Sequence, residues 1–570
     1  MPGLELQGSL TLFAKLMKSS FILKLLVAFV AIICPTAAVL ACTNIIVGKK
    51  ASTDGSVFVS YSADSYGAYG VMQHFKAGKH QKSEKRVIRD WETNKYLGEI
   101  DEARETYNVV GNINEHQLTI AETTFGGREE LVDTSGVIDY GSLIYITLQR
   151  AKTAREAIKI MDDLVQRYGY RSEGETFSIA DPNEAYIMEM VGKGGKERGA
   201  VWAAVRIPDD AICAHANQSR IHKLFKLPKS QVLYSKDVVS FARKMKLYSG
   251  SDEDFDFANT YCPLNFGGAR SCEARVWAIY NRFTDGMSAY FDYASGNNLN
   301  AEPLPLYVKP DSLLDFDAIV LAMGDHFDNT PLDMTKDPGA GPYLSPYRPR
   351  PLMWEYDGKK YCNERPVGTQ QSSFSFISQM RANLPNHIGG ILWFANDDAH
   401  TSPYTPVYCC ATEVPSCYTL KYANAVRFSM KSAFWVENWV SNMVYPRYSL
   451  IYPDVKKALR ELRDKHLSSQ KDIELVAESL SVRGPEEAIT LLTSYSTKMA
   501  DEMMKKWIEL GWHLVVKYND MVVKPEKPDG TFEVLSEGTD TIMAKVVNPG
   551  YPEATKKEII KSTGSRFLAQ

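Results

Sequence analysis

Two alternating apolar runs, at 43–47 and 57–59, predict a β-hairpin near the start of the chain. The polar segment between them carries Asp54 and Gly55. Asp-Gly between two apolar runs is a strong hairpin signal, because glycine readily adopts the positive φ of a tight turn. We therefore expect Cys42 to lie at the beginning of an ordered strand, where a reactive side chain can be kept in register.

The apolar pattern of the first half predicts an α+β fold. A capping box of Thr153 and Glu156 opens a helix over 153–168 with one apolar face, and Gly169 ends it. The strands do not alternate regularly with helices, so we expect antiparallel sheets rather than a parallel βαβ fold. The predicted strands of this half are 107–110, 118–121, 176–180, 185–191, 201–207 and 211–214.

The second half changes in character. Residues from about 290 to 370 are rich in Pro, Gly and Asp, which predicts long surface segments with one helix near 315–326. Strand patterns resume at 373–380 and 390–395, and the last part of the chain is helical. The predicted C-terminal helices are 431–445, 453–466, 471–481 and 485–516. We expect the polar tail after Val523 to be poorly packed.

The first 41 residues have the composition of a signal peptide. Lys15, Lys18 and Lys24 form a basic region, 25–34 is apolar, and 39–41 has the small residues of a cleavage site. The apolar run is too short to span a bilayer. We predict four parts: a signal peptide (1–41), a main domain with loop insertions (42–430), a helical region (431–522) and a polar tail (523–570). The protein is then exported, periplasmic or extracellular, with Cys42 as its first residue.

Charge makes nucleic acid and anionic membrane surfaces unlikely partners. The chain has 65 basic and 69 acidic residues, and loss of the leader changes the formal charge from −4 to −6. No long run of like charge occurs. The sequence allows a homo-oligomer without predicting one.

Eight cysteines follow the predicted cleavage site. Cys262 with Cys272, or Cys410 with Cys417, could close small disulfide loops in an exported protein, and the sequence leaves the pairing open. Metal binding is the weaker interpretation, because neither C-x-x-C nor H-E-x-x-H occurs.

An N-terminal cysteine supplies two reactive groups on one residue. The thiol can attack a carbonyl while the α-amine of the same residue acts as its base. Asp64 follows the second hairpin strand, which returns toward Cys42, so its carboxylate could orient an amine there. Donors for an oxyanion are the remaining requirement.

Several segments in one order resemble the dipeptidase A / secernin family of cysteine peptidases, which are N-terminal-nucleophile hydrolases. The resemblance extends from Cys42 to about residue 420. The segments that carry it are ACTN at 41–44, GK at 48–49, TDGS at 53–56, NEH at 114–116, ETTFGG at 122–127, LQRAKTA at 148–154, ADPNE at 180–184, AHANQSRI at 214–221 and RPVGTQQ at 365–371.

The resemblance implies an αββα sandwich of two antiparallel sheets, with Cys42 at the end of an inner strand. It implies hydrolysis of dipeptides or other short peptides with no metal and no organic cofactor. In the implied cycle Cys42 attacks the scissile carbonyl, forms a thioester and is released by water, while its amine carries the proton.

Site residues follow from the same resemblance. Cys42 and Asp64 match catalytic positions, Asn217 is the expected oxyanion donor, and Arg275 is expected as a cation near the thiol. Tyr61 stands where related hydrolases often have an arginine. The residues expected to line the substrate pocket are Asn114, Glu115 and Glu122. His116 and His215 are expected to be structural.

Two alternatives remain open at this stage. The first is an amidase of the same fold that cleaves acyl-amino acids. The second is an inactive lipoprotein, because 39–42 also resembles a poor lipobox and lipid on Cys42 would block both reactive groups.

Overall fold

The computed structural model of the chain describes residues 42–195, 197–535 and 542–569. The predicted signal peptide lies outside these residues and stays a prediction. The described chain is a mixed α+β structure with several antiparallel sheets and a helical C-terminal region. This confirms the predicted α+β class.

Most of the strands lie in the first half of the chain. In chain order they are β1 (Thr43–Val47), β2 (Val57–Asp64), β3 (His74–Phe75), β4 (Gly78–Lys79), β5 (Lys85–Arg89), β6 (Tyr96–Asp101), β7 (Glu105–Thr106), β8 (Val109–Val110), β9 (Ile113–Asn114), β10 (Thr119–Gly126), β11 (Gly174–Ala180), β12 (Ala185–Gly192), β13 (Ala200–Ile207), β14 (Ile212–His215), β15 (Val232–Tyr234), β16 (Met353–Tyr356), β17 (Lys359–Cys362), β18 (Ser372–Met380), β19 (Ile391–Asn396) and β20 (Thr405–Tyr408).

The two longest α-helices lie in the C-terminal region. In chain order they are α1 (Tyr140–Leu148), α2 (Ala154–Tyr168), α3 (Val238–Lys244), α4 (Phe257–Tyr261), α5 (Ala274–Phe283), α6 (Phe291–Ala294), α7 (Phe316–Met323), α8 (Asn386–Gly389), α9 (Ala433–Val444), α10 (Tyr448–Ser481), α11 (Glu486–Tyr518) and α12 (Glu553–Thr563).

Two large sheets contain the main strands. The six-stranded sheet has the order β14-β1-β2-β18-β19-β20, and the eight-stranded sheet has the order β15-β13-β12-β11-β10-β9-β8-β3. The neighbouring strands of these sheets pair antiparallel. They include the predicted hairpin, in which Ile45 of β1 lies opposite Ser60 of β2. Polar side chains join the two sheets, as in the hydrogen bond of 2.8 Å between Thr119 of β10 and Ser378 of β18.

Strand alternation divides the core into separate clusters. In β1, Ile46 belongs to a cluster that also contains residues of the eight-stranded sheet, such as Ile187. Its neighbours Ile45 and Val47 belong to a second cluster with residues of α5 and α7. A third cluster joins the other face of the eight-stranded sheet to α1 and α2. Because successive strand residues point to opposite faces, one short strand contributes to two cores.

The local predictions are largely confirmed. Helix α2 begins after Thr153, whose side chain accepts from the Glu156 N–H, and ends at Gly169. The Glu156 carboxylate, however, accepts from the N–H of Lys152 and not from that of Thr153, so the capping box is shifted by one residue. The segment 353–362, expected to be a loop, forms the exposed hairpin β16–β17.

The C-terminal helices are longer than predicted. The expected helices 453–466 and 471–481 are one helix, α10, which begins five residues before Pro453. Ser469, in the expected break, hydrogen-bonds the hydroxyl of Tyr495 on α11 at 2.8 Å, so packing against the neighbouring helix continues α10 through a polar segment. Helix α12, in the tail, buries none of its residues.

The eight cysteines of the described chain are all unpaired, so neither candidate disulfide is formed. Among these same residues, no helix is both long and apolar enough to cross a bilayer. The described part of the chain also has no group of three or more His, Cys, Asp or Glu side chains placed to hold a metal ion.

Candidate active site

Cys42 immediately precedes β1, the central hairpin strand between β14 and β2. All five residues of β1 are buried, and Cys42 itself is 1 % exposed. The apolar sequence of β1 and the Asp54–Gly55 turn place it between two partner strands. The residue before the strand therefore has little freedom to move.

The backbone nitrogen of Cys42 is bound by Asn217. It donates to Asn217 Oδ1 at 2.9 Å, and Asn217 Nδ2 donates to the carbonyl oxygen of Thr124 at 2.7 Å. Asn217 has φ of +62°, a left-handed conformation that asparagine tolerates better than most residues. The turn that carries Asn217 follows β14 and directs the side-chain amide toward Cys42, just before the start of β1.

Arg275, on α5, holds the carbonyl end of Cys42 and is 1 % exposed. Burial, followed by the charge of Arg365, lowers the pKa of Arg275 to about 10. All five N–H hydrogens of a guanidinium can be donated. They go to the carbonyl oxygen of Cys42 (2.6 Å), Thr43 Oγ1 (2.8 Å), Asn217 Oδ1 (2.9 Å), the carbonyl oxygen of Ala216 (3.2 Å) and that of Ser271 (2.7 Å). Arg275, the cation predicted near the thiol, therefore lies close to Cys42 but hydrogen-bonds its backbone carbonyl.

The Cys42 sulfur has three polar neighbours. Tyr61 Oη lies 3.6 Å from Sγ, Glu122 Oε1 lies 3.9 Å from it, and the backbone N–H of Asp64 also donates to it. Burial, and then the negative charges of Glu122 and Asp64, raise the pKa of the thiol well above its ordinary value. The resting sulfur is therefore a neutral thiol, so a base must remove its proton during attack.

Glu122 belongs to a buried pair of carboxyl groups. Tyr61 donates to Glu122 Oε1 at 2.8 Å, and the carboxyl of Glu175, on the neighbouring strand β11, shares the same buried site. Thr124 Oγ1 donates to Glu175 Oε1 at 2.7 Å. Burial raises the pKa of Glu122 to about 7, and burial with the charge of Glu122 raises the pKa of Glu175 well above its usual range.

Asp64 is fully buried and its carboxylate forms an ion pair with Arg365. Ser372 donates to Oδ1 at 2.6 Å and Ser62 to Oδ2 at 3.2 Å. The structure therefore brings Asp64 to the sulfur through its backbone N–H, while its carboxylate binds the loop before β18.

Most of the chain matches a known protein family. Residues 41–461 match the sequence model of peptidase family C69. The chain belongs to this family. The resemblance inferred from the separated motifs is confirmed.

Three curated relatives have dipeptidase names. The chain is 26 % identical over 389 residues to a probable dipeptidase of Salmonella dublin, covering 65 % of this chain and 81 % of the relative. It is 24 % identical over 493 residues to dipeptidase A of Lactobacillus helveticus, covering 82 % and 95 %. It is 23 % identical over 500 residues to probable dipeptidase B of Lactococcus lactis subsp. lactis (strain IL1403), covering 84 % and 95 %.

Buried polar contacts of the segment 214–221 of this C69 peptidase hold the turn that carries Asn217. His215 lies between Thr123 Oγ1 (2.8 Å) and Ser178 Oγ (2.7 Å), and burial lowers its pKa to about 3, so it is neutral. Arg220 forms a buried ion pair with Glu273 at 3.0 Å. These contacts fix the turn that carries Asn217, and they give His215 the structural role expected of it.

Asn114 is the last residue of β9, and Glu115 follows it in the turn between β9 and β10. Asn114 Nδ2 donates to the carbonyl oxygens of Leu148 (2.7 Å) and Ala151 (2.8 Å), at the end of α1 and just after it. Glu115 Oε1 accepts from the N–H of Asn108 at 3.0 Å. These contacts do not include Cys42 or Glu122, and a role in the substrate pocket stays a prediction.

Sequence reasoning missed three residues of the site: Tyr61, Glu175 and Arg365. The signal for Arg365 was present, since it begins the 365–371 motif. Tyr61 was noted only for the arginine it replaces. Glu175 had no signal, because it reaches Glu122 only through the pairing of β10 with β11.

Proposed function

We propose that this C69 peptidase is an exported cysteine dipeptidase whose nucleophile is Cys42, exposed as the N-terminal residue when the leader is removed. One observation carries the proposal. The nitrogen of Cys42 is bound by Asn217, its carbonyl by Arg275, and its sulfur lies beside Tyr61 and Glu122. A residue whose nitrogen, carbonyl and sulfur are each contacted by a polar side chain is preorganised for chemistry.

The proposal includes the N-terminal-nucleophile αββα arrangement. Its support is the division of β1 between two core clusters, one shared with the eight-stranded sheet and one shared with helices. A strand with a sheet on one side and helices on the other has the environment of an inner strand in such a sandwich.

The proposed cycle uses the amine of Cys42 as its base. The amine takes the thiol proton as sulfur attacks the scissile carbonyl, and the resulting ammonium gives that proton to the departing amine of the second residue. The amine then takes a proton from water, hydroxide attacks the thioester, and the C–S electron pair returns to sulfur, which regains the proton. Asn217 orients the amine. The oxyanion role assigned to Asn217 needs the second hydrogen of its Nδ2 group, because Thr124 accepts the first.

Dipeptides are the proposed substrates because the curated relatives that the chain covers over most of their length have dipeptidase names. The acyl-amino acid alternative has no comparable support. Lipid attachment at Cys42 is disfavoured by the geometry, because β1 is buried from its first residue and leaves no spacer between an anchor and the fold.

The test is turnover of a dipeptide panel, with matching N-acetyl amino acids, by the exported protein and two variants. Cys42→Ala should lower kcat/KM by at least about 1,000-fold, the order lost when a catalytic nucleophile is removed. Cys362→Ala, in the exposed β16–β17 hairpin, is the matched control and should leave activity unchanged. Full activity of Cys42→Ala would refute the nucleophile, and hydrolysis of the N-acetyl compounds alone would refute the dipeptidase assignment.

A further inference from the structure

We propose that Tyr61 is a second catalytic residue, whose hydroxyl donates a hydrogen bond to the Cys42 sulfur only while Glu122 holds a proton. This inference rests on the proposed role of Cys42. It assigns Glu122 to a proton switch beside the nucleophile, in place of the substrate contact expected from the sequence.

The position of the Tyr61 hydroxyl is fixed by packing. Its side chain is 7 % exposed, and its ring lies against those of Phe374 (5.6 Å between centroids) and Phe376 (5.3 Å), both on β18. The oxygen is therefore held between two partners, the sulfur at 3.6 Å and Glu122 Oε1 at 2.8 Å. It cannot turn away from either without displacing the core.

A phenol has one hydrogen and can donate it to one partner at a time. When Glu122 is ionised, its carboxylate is an acceptor only, and Tyr61 donates to it. When Glu122 is protonated, its O–H can donate to Tyr61 Oη, and the Tyr61 hydrogen becomes available to the sulfur. The protonation state of Glu122 thus decides which neighbour receives the Tyr61 hydrogen bond.

The neighbouring carboxyl of Glu175 shares this buried site with Glu122. The Oε2 atoms of both groups are buried without a hydrogen-bond partner among the described residues, and two adjacent carboxylates cannot both be ionised there without a large cost. Thr124 donates to the far oxygen of Glu175, which fixes that carboxyl in place. The pair therefore retains one proton near neutral pH on Glu175, whose pKa is raised well above its usual range, and Glu122 binds a second proton as the pH falls through its own pKa of about 7.

The sulfur has little other support for negative charge. Arg275 donates all its N–H groups to the acceptors described above and none to the sulfur. In the part of the chain that the structure describes, the donors that reach Sγ are the Asp64 N–H and the Tyr61 hydroxyl. A Tyr61 hydrogen bond therefore replaces a cation as the stabiliser of the thiolate.

The step needs no new reactant. When water breaks the thioester, the C–S bond opens and its electron pair passes to sulfur, which is charged until the ammonium of Cys42 returns its proton. Tyr61 donates a hydrogen bond to sulfur during that interval and keeps its own proton. The same hydrogen bond forms as the thiol is deprotonated for attack.

The titration of Glu122 is set by the groups around it on both sheets and on α1. Burial and the charge of Glu92 favour its protonated form, whereas its interactions with Tyr61, Glu175 and the Cys42 thiol favour its ionised form. The titratable groups that face Glu122 or Glu175 are Cys42, Tyr61, Glu92, Tyr140, Tyr145, Tyr170, Glu173 and Glu175.

The experiment compares Tyr61→Phe with Glu122→Gln in the mature protein. Tyr61→Phe should lower kcat by about 10- to 1,000-fold with little change in KM, as expected for loss of one donor to a developing charge. Glu122→Gln presents an amide N–H to Tyr61 permanently, as the protonated acid does, so the pH profile of its remaining activity is the informative measurement. In wild type, kcat/KM should fall as the pH rises through the pKa of Glu122, about 7, and this alkaline fall should be absent in Glu122→Gln.

Two results would overturn the switch. An inactive but folded Glu122→Gln would show that the carboxylate itself is needed, as a base or as a ligand for an ammonium group. A fully active Tyr61→Phe would show that Tyr61 contributes only packing contacts and no hydrogen bond to catalysis. If wild type does not cleave dipeptides, the proposed function fails instead. The pH dependence of Cys42 alkylation by iodoacetamide then tests the switch. In Tyr61→Phe the rise in rate that accompanies thiol ionisation should move to higher pH, and an unchanged pH profile would refute the switch.

Discussion

The Arg275 guanidinium donates to the carbonyl oxygen of Cys42 at 2.6 Å, across 233 positions of sequence. It also donates to Thr43 Oγ1, the next residue in the chain, and to Asn217 Oδ1, which accepts from the Cys42 nitrogen. Arg275 thus acts as a positioning residue that fixes where β1 begins.

Replacing Arg275 should therefore affect activity more than its distance from the sulfur suggests. Arg275→Lys keeps the charge but not the planar fork, and we expect kcat/KM to fall at least about 100-fold, as misplacement of a reacting group by about 1 Å can cause. Steady-state kinetics with thermal unfolding measures this. A near-normal kcat/KM in Arg275→Lys would show that a point charge suffices.

Asn217 gives a test that separates its side chain from its backbone conformation. Asn217→Gly and Asn217→Ala both remove the bond to the Cys42 nitrogen, so both should lose activity to a similar extent. Alanine is additionally strained at φ of +62°, so Asn217→Ala should be less stable than Asn217→Gly by about 1 kcal/mol. Urea unfolding of the two variants gives this difference. Equal stabilities would contradict the strain.

The buried Asp64–Arg365 pair should be a major contributor to stability. Asp64→Asn leaves the Arg365 charge uncompensated, and we expect a loss of about 3–5 kcal/mol in the free energy of unfolding. The control is Asp254→Asn, whose ion pair with Lys226 is exposed and should contribute less than about 1 kcal/mol. Similar losses in the two variants would mean that burial of the first pair is unimportant.

His215 should make stability depend on pH. Its pKa is about 3 in the folded protein, against 6.5 for an ordinary histidine, so the unfolded chain binds more protons between these values. Its contribution to the free energy of unfolding is complete above pH 6.5 and is lost as the pH falls toward 3. The destabilisation caused by His215→Gln should accordingly shrink over that interval. A constant difference between the two unfolding curves would contradict a neutral buried imidazole.

Local features of the fold were predictable, and long-range ones were not. The hairpin turn at Asp54 and Gly55 and the cap of α2 at Thr153 depend on neighbouring residues, so the sequence determined them. The break expected in α10 failed because Ser469 is bonded by Tyr495 of another helix. The pairing of Asp64 with Arg365 spans 301 positions and required the two partners to be brought together by β18.

The site shows the same division. Cys42 and Asn217 could be singled out because they lie in recognisable motifs. Tyr61 could not, because its significance depends on a tertiary contact with Glu122, which only the stacking of one sheet on the other creates. Tyr61, which stands where related hydrolases often have an arginine, thus marks a feature of the site that the motif alone did not predict.

The central claim is that Cys42 acts as an N-terminal residue, and the mass of the N-terminal peptide of the active, exported protein tests it most directly. We predict a peptide that begins with unmodified Cys42, and loss of activity when one alanine is placed ahead of it. A lipid-modified Cys42, or full activity with residues still attached to its nitrogen, would refute this role of Cys42.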